Sequence, residues 1–244
     1  DHLETKVKTN KIRQRLLKIR AKKVILATGA LERPLIFNNN DRPGIMLSSA
    51  IKKYSEFYGV ACGSKNVFFT NNDSAYESAM SLYNKGVNVE AIIDIRDQSE
   101  SRIVKKVKEA GIKIYWSHTI VDTTGYKRLN SVSTMKLSND GTSVTGSKIS
   151  ISCDCLGVAG GWTPAVHLCT QSGSKLAFDE DKKIFIPNKN NSDQISVGSC
   201  CGDFKLDEIL KNLNEKLKDF LDITKTDFEN ITFNNDQEIS KRNI

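Results

Sequence analysis

The residues best placed to do chemistry in this 244-residue chain are small ones at the ends of apolar runs. "VILATGA" (Val24–Ala30), "LGVAGGW" (Leu156–Trp162) and "ISVGSCCG" (Ile195–Gly202) each pass from an apolar segment into threonine or glycine. In open α/β sheets, ligands lie beyond the carboxyl ends of strands. Glycine there lets the backbone come close to a ring or a pyrophosphate. One such turn is a weak signal, because glycine also ends strands for local reasons; three in this order are more informative. A fourth stretch, "NVFFTNNDSAYESAM" (Asn66–Met80), has the outline of a dinucleotide-binding strand, turn and helix without its glycines. The positions of G-x-G-x-x-G/A fall on Thr70, Asn72 and Ala75. Ala75 suits close helix–strand packing, but Thr70 and Asn72 add side chains where the pyrophosphate needs bare backbone. Asp73 is expected to cap the helix and to repel a phosphate from its N-terminus. Asp94 and Arg96 close the next strand, where an acid could hold a ribose or an arginine a 2′-phosphate. The preferred reading of this stretch is a retained scaffold rather than a nucleotide site.

Other chemistries find little support. His2, His118 and His167 are far apart in sequence, and no Ser-His-Asp grouping is visible. The cysteines Cys62, Cys153, Cys155, Cys169, Cys200 and Cys201 form no C-x-x-C and no paired zinc spacing. Neither a catalytic residue nor a metal ligand is therefore assigned. Cys153 and Cys155, two apart in an apolar run, are expected on one face of a strand. Reduced, buried thiols point to a reducing, cytoplasmic setting. The net charge of +7 is spread along the chain, apart from a cluster over Lys11–Lys23. It is not interleaved with aromatics, so no nucleic acid is expected. No run of about 18 apolar residues suggests a membrane span. The N-terminus carries no secretory pattern. It lacks an initiator methionine, and the chain reads as a piece of a longer polypeptide.

Hydrophobic patterning supplies the elements that must position these turns. Apolar runs at Ile19–Ala27, Val67–Thr70, Val87–Ile95 and Ile112–Trp116 read as buried strands. Helical periods cover Leu47–Tyr58, Ser74–Lys85 and Glu100–Ala110, the last two closed by Gly86 and Gly111. This β-α-β-α-β order implies a parallel sheet with right-handed crossovers. Alternating segments at Thr119–Thr124, Ser131–Leu137 and Lys148–Cys153 read as an antiparallel meander. Apolar strands return at Cys155–Ala159, Ile184–Pro187 and Ile195–Val197, followed by an amphipathic helix over Leu206–Leu221 and a polar tail. The fold class is α/β: a Rossmann-like parallel sheet with crossover helices plus a β-meander.

The order strand–ATG–x-x-x-R-P, degenerate βαβ unit, meander, strand–GG–x-x-P, strand–G resembles the two-dinucleotide-domain flavoproteins of the disulfide reductase type. Within that group, Arg13–Ala50, with its "NNDRPG", Thr70–Ala79, and Cys153–Leu168, with its "GGWTPAVHL", resemble the α subunit of heterotetrameric sarcosine oxidase. The resemblance runs from about Arg13 to Leu221. It implies a division into residues 1–45, part of a first dinucleotide-binding domain; 46–160, an inserted degenerate Rossmann-like domain; 161–222, the return to the first; and 223–244, a linker or disordered tail. It implies oxidation of sarcosine to glycine, formaldehyde (or methylenetetrahydrofolate) and hydrogen peroxide. It also implies NAD in the α subunit, FMN at the α/β interface and FAD in the β subunit. The partners would be β, γ and δ subunits, with tetrahydrofolate bound by a C-terminal domain outside this chain. By the same resemblance, Thr28 and Gly29 lie against the dinucleotide, with Gly198 and Gly202 closing the site; Ser199 stands where an acid is usual. Gly160, Gly161 and Trp162, with Pro164 and His167 nearby, are candidates to border a cofactor ring. Two alternatives remain: the α-type subunit of another amine or amino-acid dehydrogenase (opine or proline), or a catalytically silent α/β scaffold.

Overall fold

A computed structural model describes residues 16–189 and 193–221. The Lys11–Lys23 cluster therefore lies partly, and the 223–244 tail wholly, outside the described residues. Three short strands come first, β1 (Val24–Leu26), β2 (Ala30–Glu32) and β3 (Ile45–Leu47), followed by α1 (Ser48–Phe57). Then come β4 (Asn66–Thr70), α2 (Ser74–Asn84), β5 (Val89–Asp94), α3 (Arg102–Glu109) and β6 (Lys113–Trp116). Next are β7 (His118–Thr124), β8 (Ser131–Leu137), β9 (Val144–Ser152), β10 (Cys155–Ala159) and β11 (Trp162–Pro164). The chain continues through α4 (His167–Gln171), β12 (Lys175–Asp179), β13 (Ile184–Lys189), β14 (Gln194–Ser196), a 3-10 turn (Gly198–Cys201) and α5 (Leu206–Leu221).

The centre is a five-stranded parallel sheet in the order β3-β10-β4-β5-β6. Alternation along its strands builds two cores. Phe68, Ile92 and Cys155 face α1, α2 and α3 and pack with Ile51, Tyr76, Leu82, Val104 and Val107. Val67, Phe69, Ile93, Leu156 and Val158 face the other way and pack with Ile120, Val132 and Leu137 of the β7-β8-β9 meander. Helices thus cover one face and an antiparallel sheet the other, which is why these strands read as continuous apolar runs. Gly157 sits mid-strand in β10 with no room for a side chain: a Cβ there would lie 2.6 Å from Phe68 and 2.9 Å from Ile51.

Several expectations need correcting. Cys153 and Cys155 belong to opposite cores rather than one face. The chain turns between them at Asp154, whose carboxylate accepts bonds from the amides of Ser64 (3.0 Å) and Lys65 (2.7 Å) and the Ser64 hydroxyl (2.6 Å). The strand expected over Ile19–Ala27 shortens to β1, which pairs in parallel with β14. It is not buried: Val24 and Ile25 are 40% and 43% exposed, because no further strand or sheet-covering layer packs over them among the described residues. Asp73 precedes α2 but makes no side-chain cap; its carboxylate is drawn to Arg96. Asn72 takes the capping role, its Oδ1 accepting from the Ser74 amide (3.0 Å) and hydroxyl (2.5 Å).

A two-stranded antiparallel ribbon, β2 with β11, joins the sheet to the β1–β14 pair. Glu32, only 9% exposed, reaches from this ribbon to the first turn of α1, where its Oε2 accepts the Ser49 amide (2.9 Å). Leu47 at the N-cap offers no side-chain acceptor, so the carboxylate stands in for one. Burial pushes the Glu32 carboxyl above the ordinary glutamate range, against the pull of its bonds to Ser49.

Two outcomes follow. Gly157→Ala should destabilise the fold by about 1–3 kcal/mol through overpacking, read as a lower urea midpoint. A raised folded-state pKa means that stability from Glu32 is present below its unfolded value and is lost as pH rises through the folded one. Glu32→Gln should therefore gain on the parent as pH rises out of the ordinary glutamate range. A difference in urea midpoints that stays flat with pH would contradict this.

Candidate functional site

At the carboxyl end of the β1–β14 pair, two of the glycine turns meet. The Val197 amide donates to Leu26 O (2.9 Å), and the Cys200 sulfur lies 3.1 Å from Val197 O and 3.6 Å from Leu26 O. Thr28 is anchored by its hydroxyl, which donates to Ala165 O (2.6 Å), and Gly29 O accepts the Ala165 amide (2.9 Å). Gly29 and Gly198 have φ of +75° and +78°, a region that favours glycine. Among the described residues, a Cβ at Gly29 would meet nothing within 4 Å, and one at Gly198 only Ile209, 3.8 Å away. Uncovered, left-handed backbone at two adjacent strand ends fits a flat or phosphorylated group lying against it. Gly202 ends the 3-10 turn and packs tightly on the β12–β13 hairpin, a Cβ there being 3.1 Å from Ile184 and Ile186; its carbonyl accepts Lys182 Nζ (2.8 Å). The structure therefore brings Thr28, Gly29, Gly198 and Gly202 into one neighbourhood.

Gly160, Gly161 and Trp162 lie at the other end of the ribbon, where the chain enters β11. The Gly160 amide donates to Arg33 O (2.6 Å) and the Arg33 amide to Gly161 O (2.8 Å), while Trp162 pairs with Glu32. A Cβ at Gly160 would lie 2.8 Å from Pro34 O, and one at Gly161 3.0 Å from the Arg33 guanidinium. Close approach of the Arg33–Pro34 backbone is what these glycines permit here. His167 opens α4 on the exposed surface and Trp162 is half-buried.

The β4–α2 turn is closed by its own side chains. The Thr70 hydroxyl bridges Asn72 O (2.8 Å) and Ala159 O (3.1 Å) and accepts the Asn72 amide (3.0 Å). The Asn72 amide nitrogen of the side chain donates to Ala159 O (3.1 Å). Arg96 reaches back from the end of β5. It binds Asp94 through Nη2 (2.7 Å) and Nε (3.1 Å), and Asp73 through Nη1 (2.7 Å). Tyr76, fully buried, donates its hydroxyl to Asp94 Oδ2 (2.7 Å). Burial works against the Arg96 charge, but the bonds and charges of Asp94 and Asp73 outweigh it and raise its pKa. Asp94 and Arg96, candidates for ribose or 2′-phosphate contact, thus bind each other. Sequence reasoning missed this network: Asp73 follows β4 and Arg96 follows β5 at the same carboxyl end of the sheet, and their pairing across strands leaves no local signal. Among the described residues no group of His, Cys, Asp and Glu could hold a metal, and no helix is long and apolar enough to cross a membrane.

Residues 2–196 match the family model described as pyridine nucleotide-disulphide oxidoreductase. The chain is 39% identical over 194 residues to a protein named sarcosine oxidase subunit alpha from Corynebacterium sp. (strain P-1), covering 79% of this chain and 20% of that protein. It is 36% identical over 179 residues to the protein of the same name from Rhizobium meliloti (strain 1021), covering 71% of this chain and 16% of that protein. The chain thus spans about a fifth of the length of these curated relatives. Among solved structures it resembles T. acidophilum thioredoxin reductase (TM-score 0.61, 17% identity, 82% of this chain and 64% of that one). It also resembles the Lactococcus lactis thioredoxin reductase (TM-score 0.59, 18% identity, 83% and 67%). Those two likenesses show the fold, a parallel sheet with crossover helices and appended antiparallel strands. With the family model matching residues 2–196, most of its length, the chain belongs to the pyridine nucleotide-disulphide oxidoreductase family.

Proposed function

We propose that this chain is the central region of a sarcosine oxidase α subunit, which supports oxidative demethylation of sarcosine to glycine, formaldehyde (or methylenetetrahydrofolate) and hydrogen peroxide. The observation that carries it is the 39% identity over 79% of the chain to a curated protein of that name. On this reading the chain works in a complex with β, γ and δ subunits, and tetrahydrofolate is bound by a part of the α subunit beyond this chain. Residues 1–45 and 161–222 form one dinucleotide-binding domain, interrupted by 46–160. The pairing of β1 with β14 across that insertion supports the division.

The open turns at Thr28 and Gly29 and at Gly198 would hold the NAD of the α subunit, with Gly202, packed on the β12–β13 hairpin, closing the site behind them. Gly160, Gly161 and Trp162 would border the cofactor region through the ribbon. The flavins of the complex, FAD in the β subunit and FMN at the α/β interface, would supply acceptance of hydride from the amine C–H and delivery of electrons to oxygen. The residues of this chain do the positioning. Thr28 anchors the first turn to Ala165, and Arg33 clasps Gly160 and Gly161 so that the ribbon holds its register.

The test is co-expression of the full-length subunit with its β, γ and δ partners, followed by peroxide assay. Sarcosine should release peroxide; a flavin-loaded complex that instead oxidises proline or an opine, or no amine, would overturn the reading. In the same complex, Gly29→Val forces a β-branched residue into a left-handed conformation. It should lower the NAD recovered per complex, measured after denaturation, relative to the parent.

A further inference from the structure

The family description names a pyridine nucleotide, and the crevice beyond β4 and β5 is where a fold of this kind would receive one. Binding there needs three things: bare backbone in the turn, a positive helix N-terminus open to pyrophosphate, and a strand-end residue free to meet the ribose. The structure withholds all three. Thr70 and Asn72 put side chains into the turn and lace it to Ala159 at the end of β10. The Ser74 amide, which would point at a phosphate, is taken by Asn72 Oδ1. Asp73, 1% exposed, lies buried at the start of α2 as the chain's own anion, held 2.7 Å from Arg96. Asp94, fully buried, turns inward to Arg96 and Tyr76.

We propose that this cradle is filled by the chain itself, Asp73 standing for the phosphate and Arg96 for its counter-charge, and that the inserted unit takes neither NADH nor NADPH. A dinucleotide arriving here would bring two phosphate charges against a buried carboxylate whose guanidinium partner is already shared between two acids. Nicotinamide hydride docked at this turn is therefore not the reductant for chemistry served by this chain. The proposal stands on the Arg96 network and does not depend on the sarcosine reading.

The experiment is calorimetric titration of the full-length subunit with NADH and NADPH, in the parent and in folded Asp73→Asn and Arg96→Lys variants. Both substitutions change charge or geometry at the turn while keeping side-chain bulk, and folding is checked by circular dichroism. Affinities that agree within about twofold across the three proteins, or absent binding in all, are expected, since any site lies elsewhere. A loss of about tenfold or more in a folded variant would overturn the proposal, because the parent would then be binding at this turn; a gain in Asp73→Asn would support it, since that carboxylate is what fills the phosphate place. Hydrogen–deuterium exchange on the parent gives a second measure without substitution. Unchanged exchange over residues 71–77 on adding either nucleotide supports the proposal, and nucleotide-induced protection of that segment refutes it.

Discussion

A guanidinium buried in a protein keeps its charge, so every side of it must be matched. Arg96, 6% exposed, meets that demand with one fork on Asp94 and one on Asp73, and much of the sheet's carboxyl edge is built around it. The first acid ends β5 and the second opens α2, so one side chain ties a strand end to a helix start. Tyr76 adds its hydroxyl from the next turn of α2 and stacks on Trp116 at the end of β6, with ring centroids 6.2 Å apart. Loss of either acid would strand part of a buried charge, a change of the kind that costs about 3–5 kcal/mol. The turn after β4 is tied on both sides for that reason, unlike the glycine-lined turn that a dinucleotide requires.

The same strand-end grammar gives opposite results in two places. After β1 and β14, glycines in left-handed conformations leave backbone uncovered, and the polar bonds there anchor the turn without filling its outer side. After β4 the glycine positions carry Thr70 and Asn72, and their polar atoms turn inward to neighbouring carbonyls. One end is chemically open and the other is satisfied from within. Between them runs the β2–β11 ribbon, held by reciprocal bonds of Arg33 with Gly160 and Gly161 and steered onto α1 by Glu32.

How much was legible follows from how much signal each element carries. The strands β4, β5 and β10 announce themselves as apolar runs because both their faces are covered, and α2 and α3 end at Gly86 and Gly111, whose φ values are +74° and +75°. The meander shows through alternation, its outer strand β9 being largely exposed. The three-residue strands β2, β3 and β11 do not show, because so few residues carry no period and their pairing is set by distant partners. The opposed placement of Cys153 and Cys155 depended on a turn at Asp154 that only its bonds to Ser64 and Lys65 reveal. At the β4–α2 turn, the missing glycines pointed to a turn closed by side chains, and Thr70 and Asn72 do close it. What did not show was the part of Arg96, whose reach back to Asp73 is a tertiary fact with no local signature.

The pairing of β1 with β14 also bears on how the chain folds. Leu26 and Cys200, which lie against each other there, are 174 residues apart, so their meeting would be slow and entropically expensive for an open chain. The intervening polypeptide shortens that search. Once the five-stranded sheet and its meander have formed, the ribbon β2–β11 already brings the entering and leaving segments side by side. What remains is a short step from Leu26 to Ala30 on one side and, on the other, the segment from Pro164 through α4 and the β12–β13 hairpin to Gln194. In the folded chain the ribbon, held by the Arg33 and Gly161 bonds, stands between the sheet and the β1–β14 pair and shortens the separation that their closure must span.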